Sequence, residues 1–142
     1  DYIADQEQKI EFYKKIKGIN DQKEADNIAD ELIDRFGDYP LAVENLLNVS
    51  TVKADADLAQ VVSLTQKSND KLQVIFNNQA SEELEGPNIF KALEHVSLRA
   101  RINMDPQKRL NVMLDLEKNM STRQLFNELH TFLEEASEIV QK

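Results

Sequence analysis

The chain has 142 residues and a formal net charge of −9, from 17 basic and 26 acidic side chains, the size of one ordinary domain that buries roughly two-thirds of its unfolded surface. Apolar content of 41% beside 30% charged residues is that of a soluble globular protein, and basic residues scattered among acids speak against a surface that grips duplex DNA, which asks for a basic stripe. With no cysteine, disulfides and thiolate metal sites are excluded and a reducing cytoplasm is the expected setting; no apolar run reaches the ~18 residues of a membrane span, and no basic-then-apolar N-terminus suggests export.

The sequence starts at Asp1 without a methionine, so it reads as a fragment of a larger multidomain protein. A first helix is predicted over about 5–19, with Ile10, Tyr13, Ile16 and Phe12 as its apolar stripe. Lys14, Lys15 and Lys17 crowd its C-terminal end, where cations oppose the helix dipole, and they read as a solvated end rather than an anion site. Gly18 closes it. Asp21 and Glu24 have the spacing of a capping box and open a second helix. There Ala25, Ile28, Ala29, Leu32, Ile33 and Phe36 fill the helical template without a gap, opposite Glu24, Asn27, Glu31, Asp34 and Arg35.

Gly37 follows that run, where a helix end wants a residue that tolerates positive φ. Pro40 suits the first turn of a third helix, with Asp38 or Tyr39 at its cap. The third helix is expected over about 40–57, with Val43, Leu46, Leu47, Val49 and Ser50 toward the core, and it completes a helical half over 1–58. The period then changes. β-Branched 61–65 and alternating 72–76 form a hairpin around Ser68, Asn69 and Asp70. A helix over 81–96, restarted at Pro87, turns Ile89, Phe90, Leu93 and Val96 inward. Segments 98–102 and 110–116 form a second hairpin with Asp105 and Pro106 in its turn. Ser121 and Gln124 cap a last helix that reaches Val140, with Leu125, Leu129, Phe132, Leu133, Ala136 and Ile139 as its stripe.

The order is therefore ααα followed by ββαββα over 59–142, all within a single domain. It predicts an α+β fold with a small, mostly antiparallel four-stranded sheet covered by helices. Chemistry is hard to find. Three glycines form no phosphate-binding loop. His95 and His130 lack further ligands at metal spacing and read as surface or boundary residues. Pairs such as Glu82 with Glu83 lie in exposed helical runs. No catalytic residue, metal site or cofactor is expected in this domain.

Glu31 to Gly37, read as Glu-Leu-Ile-Asp-Arg-Phe-Gly and followed by Pro40, resembles the signature of the C-terminal domain of bacterial transcription-repair coupling factors. The opening Asp-Tyr-Ile-Ala-Asp with the segment 9–16 is similar to that family's entry helix, and Val43 to Leu47 with Lys53 to its third helix. The motifs cover about the first 58 residues; beyond them only the order of elements agrees. Here Asp38 and Tyr39 stand where family members often have a longer apolar or proline-bearing segment.

The resemblance implies a non-catalytic regulatory domain of an ATP-dependent DNA translocase, with ATP and magnesium held in the parent's motor domains. It implies packing against the parent's UvrB-like N-terminal module, masking UvrA binding and restraining the motor until a stalled RNA polymerase is engaged. Carried over to this sequence, Glu31, Asp34 and Arg35 become the interdomain contact, with Phe36, Gly37 and Pro40 as architecture. Composition alone would leave the three charged residues as a solvated helix face. The rival reading is a module that binds RNA polymerase or another repair factor directly. Neither reading calls for direct nucleic-acid contact or a membrane.

Overall fold

Local capping sets where the chain turns. In the computed structural model, which describes residues 2–141, the Asp5 carboxylate accepts the amides of Glu7 and Gln8 at 2.9 and 3.3 Å and starts α1, Gln6–Lys17. Asp21 accepts the Glu24 amide at 2.8 Å and starts α2, Gln22–Phe36. The return half of that capping box is displaced by one residue, since the Glu24 carboxylate takes the Asn20 amide at 2.7 Å. α3, Leu41–Leu58, begins where the Pro40 carbonyl accepts from Val43 and Glu44. The helix thus begins one residue after Pro40, which holds the cap position expected for Asp38 or Tyr39.

The chain forms two compact units, one running through Ala54 and one from Asp55, with the division inside α3. The core of the first unit is Phe12, Ile16, Ile19, Ala25, Leu32 and Leu47. Ile28, Ala29, Phe36, Val43 and Leu46 pack against it. Four expected core residues lie outside: Ile10 is 55% exposed, Tyr13 43%, Ile33 44% and Val49 40%. The helical step of ~100° explains this. Phe12 and Ile16 share one narrow stripe of α1, with Ile10 and Tyr13 well round from it, and Ile19 is buried just past the helix end. Val49 sits nearly opposite Leu47.

In the second unit the strands are β1 Val61–Ser68, β2 Lys71–Phe76, β3 Ala100–Met104 and β4 Leu110–Asp115. The sheet order is β1-β2-β4-β3, every neighbour antiparallel. Two hairpins therefore join side by side through β2 and β4, with Val74 opposite Val112. Alternation puts Leu72, Val74, Phe76, Leu110, Val112 and Leu114 on the buried face. On the other face the Gln73 side-chain amide donates to that of Asn111 at 3.0 Å.

The predicted helix over 81–96 is two short ones, α4 Asn78–Glu83 and α5 Pro87–Ala92, broken at Gly86 and restarted at Pro87. α5 buries Ile89 and Ala92, and Phe90, expected inward, is 66% exposed because a two-turn helix has only one narrow buried side. α6, Thr122–Val140, starts at a complete capping box between Ser121 and Gln124. It buries Leu129, Phe132, Leu133, Ala136 and Val140, and Phe132 meets Phe76 edge to face at 6.0 Å. His130 is placed between carboxylates, Nδ1 2.7 Å from buried Asp55 and Nε2 3.1 Å from Glu134. The chain is α+β, as the order of elements predicts.

Candidate functional site

Spacing on α2 sends Glu31, Asp34 and Arg35 to one side, and the first unit treats them differently. The Glu31 carboxylate lies between two cations: Lys15 Nζ of α1 at 3.3 Å and the Arg35 guanidinium at 3.3 Å. Lys15 also reaches Glu11 at 3.8 Å. The Arg35 guanidinium carbon is 5.3 Å from the Phe12 ring centre and 5.4 Å from that of Phe36, and Lys15 Nζ is 4.8 Å from Phe12. The pairs are 38% exposed on both sides, so each is worth only ~0–1 kcal/mol in folding. Their physical effect is to hold the guanidinium in one place with part of its donor fork still facing solvent. Asp34 is exposed and makes no ion pair among the described residues.

The end of α2 is fixed from beneath. Phe36 is half-buried and meets Phe12 at 5.5 Å and Tyr2 at 5.9 Å, both edge to face. Gly37 has φ +83° and ψ −169°, a conformation that is essentially glycine's alone. Its amide donates to the Ile33 carbonyl at 2.9 Å, and its own carbonyl accepts the Tyr2 hydroxyl at 2.5 Å, with the Leu32 carbonyl 3.1 Å from the same hydroxyl. Burial pushes the Tyr2 phenol above its ordinary range, helped by Tyr39 and Asp38, so it stays a donor. An apolar hollow of about 180 Å³ opens beside this cluster, lined by Tyr2, Phe12, Tyr13, Leu32, Pro40 and Val43 among others.

Sequence reasoning singled out the three charged residues, read Lys15 as part of a solvated helix end where the structure sets it against Glu31, and did not find the Tyr2 contacts or the hollow. Lys15 lies within a turn of both Phe12 and Ile16, so its side chain follows the buried stripe of α1; that position was the available signal. Tyr2 had none, since nothing local says what a residue ahead of the first helix will meet. No group of three His, Cys, Asp or Glu side chains that could hold a metal ion occurs among the described residues. No helix there is long and apolar enough to cross a membrane.

The TRCF domain family model matches residues 1–86, which contain the whole first unit. The transcription-repair-coupling factor of Staphylococcus epidermidis is 32% identical over 118 residues, covering 83% of this chain and 10% of that protein. The Bacillus subtilis protein of the same name is 32% identical over 107 residues, covering 75% of this chain and 9% of its own length. The chain thus spans about a tenth of the curated relatives it matches. A crystal structure of the C-terminal domain of transcription-repair coupling factor superposes with a TM-score of 0.88 at 33% identity, over 99% of this chain and 85% of that one. With a family model matching more than half of its length and the fold of that C-terminal domain throughout, the chain belongs to the transcription-repair coupling factor family.

Proposed function

We propose that this domain is a non-catalytic clasp within its parent protein, closing on the UvrB-like module through the α2 face. Closed, it hides the UvrA-binding surface and restrains the ATP-driven motor; engagement of a stalled RNA polymerase opens it. The observation that carries this reading is the Arg35 guanidinium, held between Glu31 and two aromatic rings beside the exposed Asp34. A side chain already immobilised loses little entropy on docking, and a fork of donors next to an exposed carboxylate gives orientation more than raw affinity. The hollow next to Tyr2 would take an apolar side chain from the docked surface. A clasp must open, so a modest polar contact suits it, and tethering keeps a weak contact shut.

The direct test mixes this chain with a separately produced UvrB-like module of the same parent. Arg35→Ala and Asp34→Ala should each weaken binding by ~10-fold, measured by calorimetry, with Asp34→Ala leaving the melting curve unchanged. Equal affinity for wild type and both variants would remove the α2 face from the interface.

A further inference from the structure

We infer that the outer edge of β3 is a docking strand for an extended segment of a partner protein, one with alternating apolar side chains and a basic residue at the end lying over α4. The register fixes which backbone groups are free. The Asp115 amide donates to the Arg99 carbonyl at 2.9 Å and the Asp105 amide to the Arg109 carbonyl at 3.0 Å. Arg101 opposite Met113 and Asn103 opposite Asn111 continue the same alternation. The polar backbone groups of residues 99, 101, 103 and 105 therefore face β4, and those of Ala100, Ile102 and Met104 face away from the sheet. Among the described residues no strand pairs with that side.

The sheet's two edges are not alike. β1 is broken by register shifts between Val61 and Ser63 and between Gln66 and Ser68, and it carries exposed Lys67. Bulges and an edge lysine are how proteins keep a strand edge from pairing. β3 runs through its whole pairing with β4 without a shift and contains no proline. Its Ile102 and Met104 are 37% and 41% exposed. They lie opposite Val112 and Leu110 and so belong to the core face of the sheet. An added strand would place its alternate side chains beside them and extend that face, while its backbone completes the ladder, the pairing by which peptides join a sheet edge.

Charge selects the partner's end. Met104 borders a hollow of about 250 Å³ lined also by Asn78, Ser81, Glu82, Glu85 and Lys108. Glu82 and Glu85 form no ion pair among the described residues, so the two carboxylates outweigh the one ammonium there and favour an incoming lysine or arginine. A second copy of this chain fits less well. Symmetric pairing about Ile102 would set Ala100 against Met104, so the face that borders Glu82 and Glu85 would receive no basic side chain.

The test is an amide NMR titration of the chain with the capped peptide Lys-Thr-Val-Thr-Val-Thr, beside the same peptide N-methylated at alternate backbone nitrogens. We expect saturable shifts at residues 100–104 and at Glu82 and Glu85, with Kd of ~1 mM or tighter. Binding should fall at least ~10-fold for the N-methylated peptide, for an Ile102→Lys chain, and for a Glu82→Lys, Glu85→Lys chain. Absence of saturable shifts at ~5 mM, or equal binding of the N-methylated peptide, overturns the proposal. So does sedimentation showing a dimer that Ile102→Lys makes monomeric, since the edge would then be occupied by a second copy.

Discussion

Gly37 is where the backbone itself carries the site. Space is not the constraint, because a Cβ there would meet nothing within 4 Å; the φ of +83° is. Gly37→Ala should therefore cost ~1–3 kcal/mol of folding stability through strain alone, read by urea unfolding, and a cost near zero would mean the turn simply relaxes. Tyr2→Phe keeps the ring against Phe36 and removes the hydroxyl that the Gly37 carbonyl accepts. It should cost ~1 kcal/mol. Asp34→Ala should leave stability within ~0.5 kcal/mol, because its carboxylate is exposed and makes no ion pair among the described residues. At this scale the sequence was partly legible. The need for glycine after Phe36 follows from the end of an amphipathic run, whereas the partner of its carbonyl lies 35 residues away in sequence and no local pattern announces it.

Helices and strands were legible where period and caps agreed. The spacing of Ser121 and Gln124 marks the start of α6, and the structure has both halves of that capping box; Ser121→Ala should cost ~1 kcal/mol. Elements blurred where the apolar run was wider than the face that tertiary packing uses. Ile10, Tyr13, Ile33 and Val49 fit a hydrophobic reading of their helices and are exposed, because each helix buries only a narrow arc. Phe90 fails for the same reason on a shorter helix.

The second hairpin adds a pH dependence that only the folded geometry reveals. Asp105 accepts the backbone amide of Arg109, which with Asn111 and the Arg109 charge holds its carboxyl below the usual range against some burial. The Lys71 hydrogen bond does the same for Asp115, with Arg101 adding to it. A carboxyl held low in the fold takes up its proton later than in the unfolded chain. Its contribution is present above the unfolded value of ~3.9 and is lost as pH falls through the lower folded value. Stability should therefore decline as pH falls below about 4, and an Asp105→Asn, Asp115→Asn chain should show a shallower decline in acid unfolding followed by circular dichroism. An unchanged slope would mean other carboxylates set the acid limit.

For the whole molecule, fold and family were readable from three short segments plus the order of elements, because caps and periods are local. The details of the α2 face were not, because Lys15 meets Glu31 and Phe12 meets Arg35 only in the packed unit. What that face does in the parent is the central claim, and the most direct test is made there. With Glu31, Asp34 and Arg35 all changed to alanine in the full-length parent, UvrA binding and ATPase rate are compared with wild type, after the isolated variant domain is shown to fold. A closing clasp predicts a gain of ~10-fold or more in UvrA affinity together with a higher ATPase rate without RNA polymerase. Unchanged binding and unchanged turnover in a folded variant would contradict it and return the three residues to being a solvated helix surface.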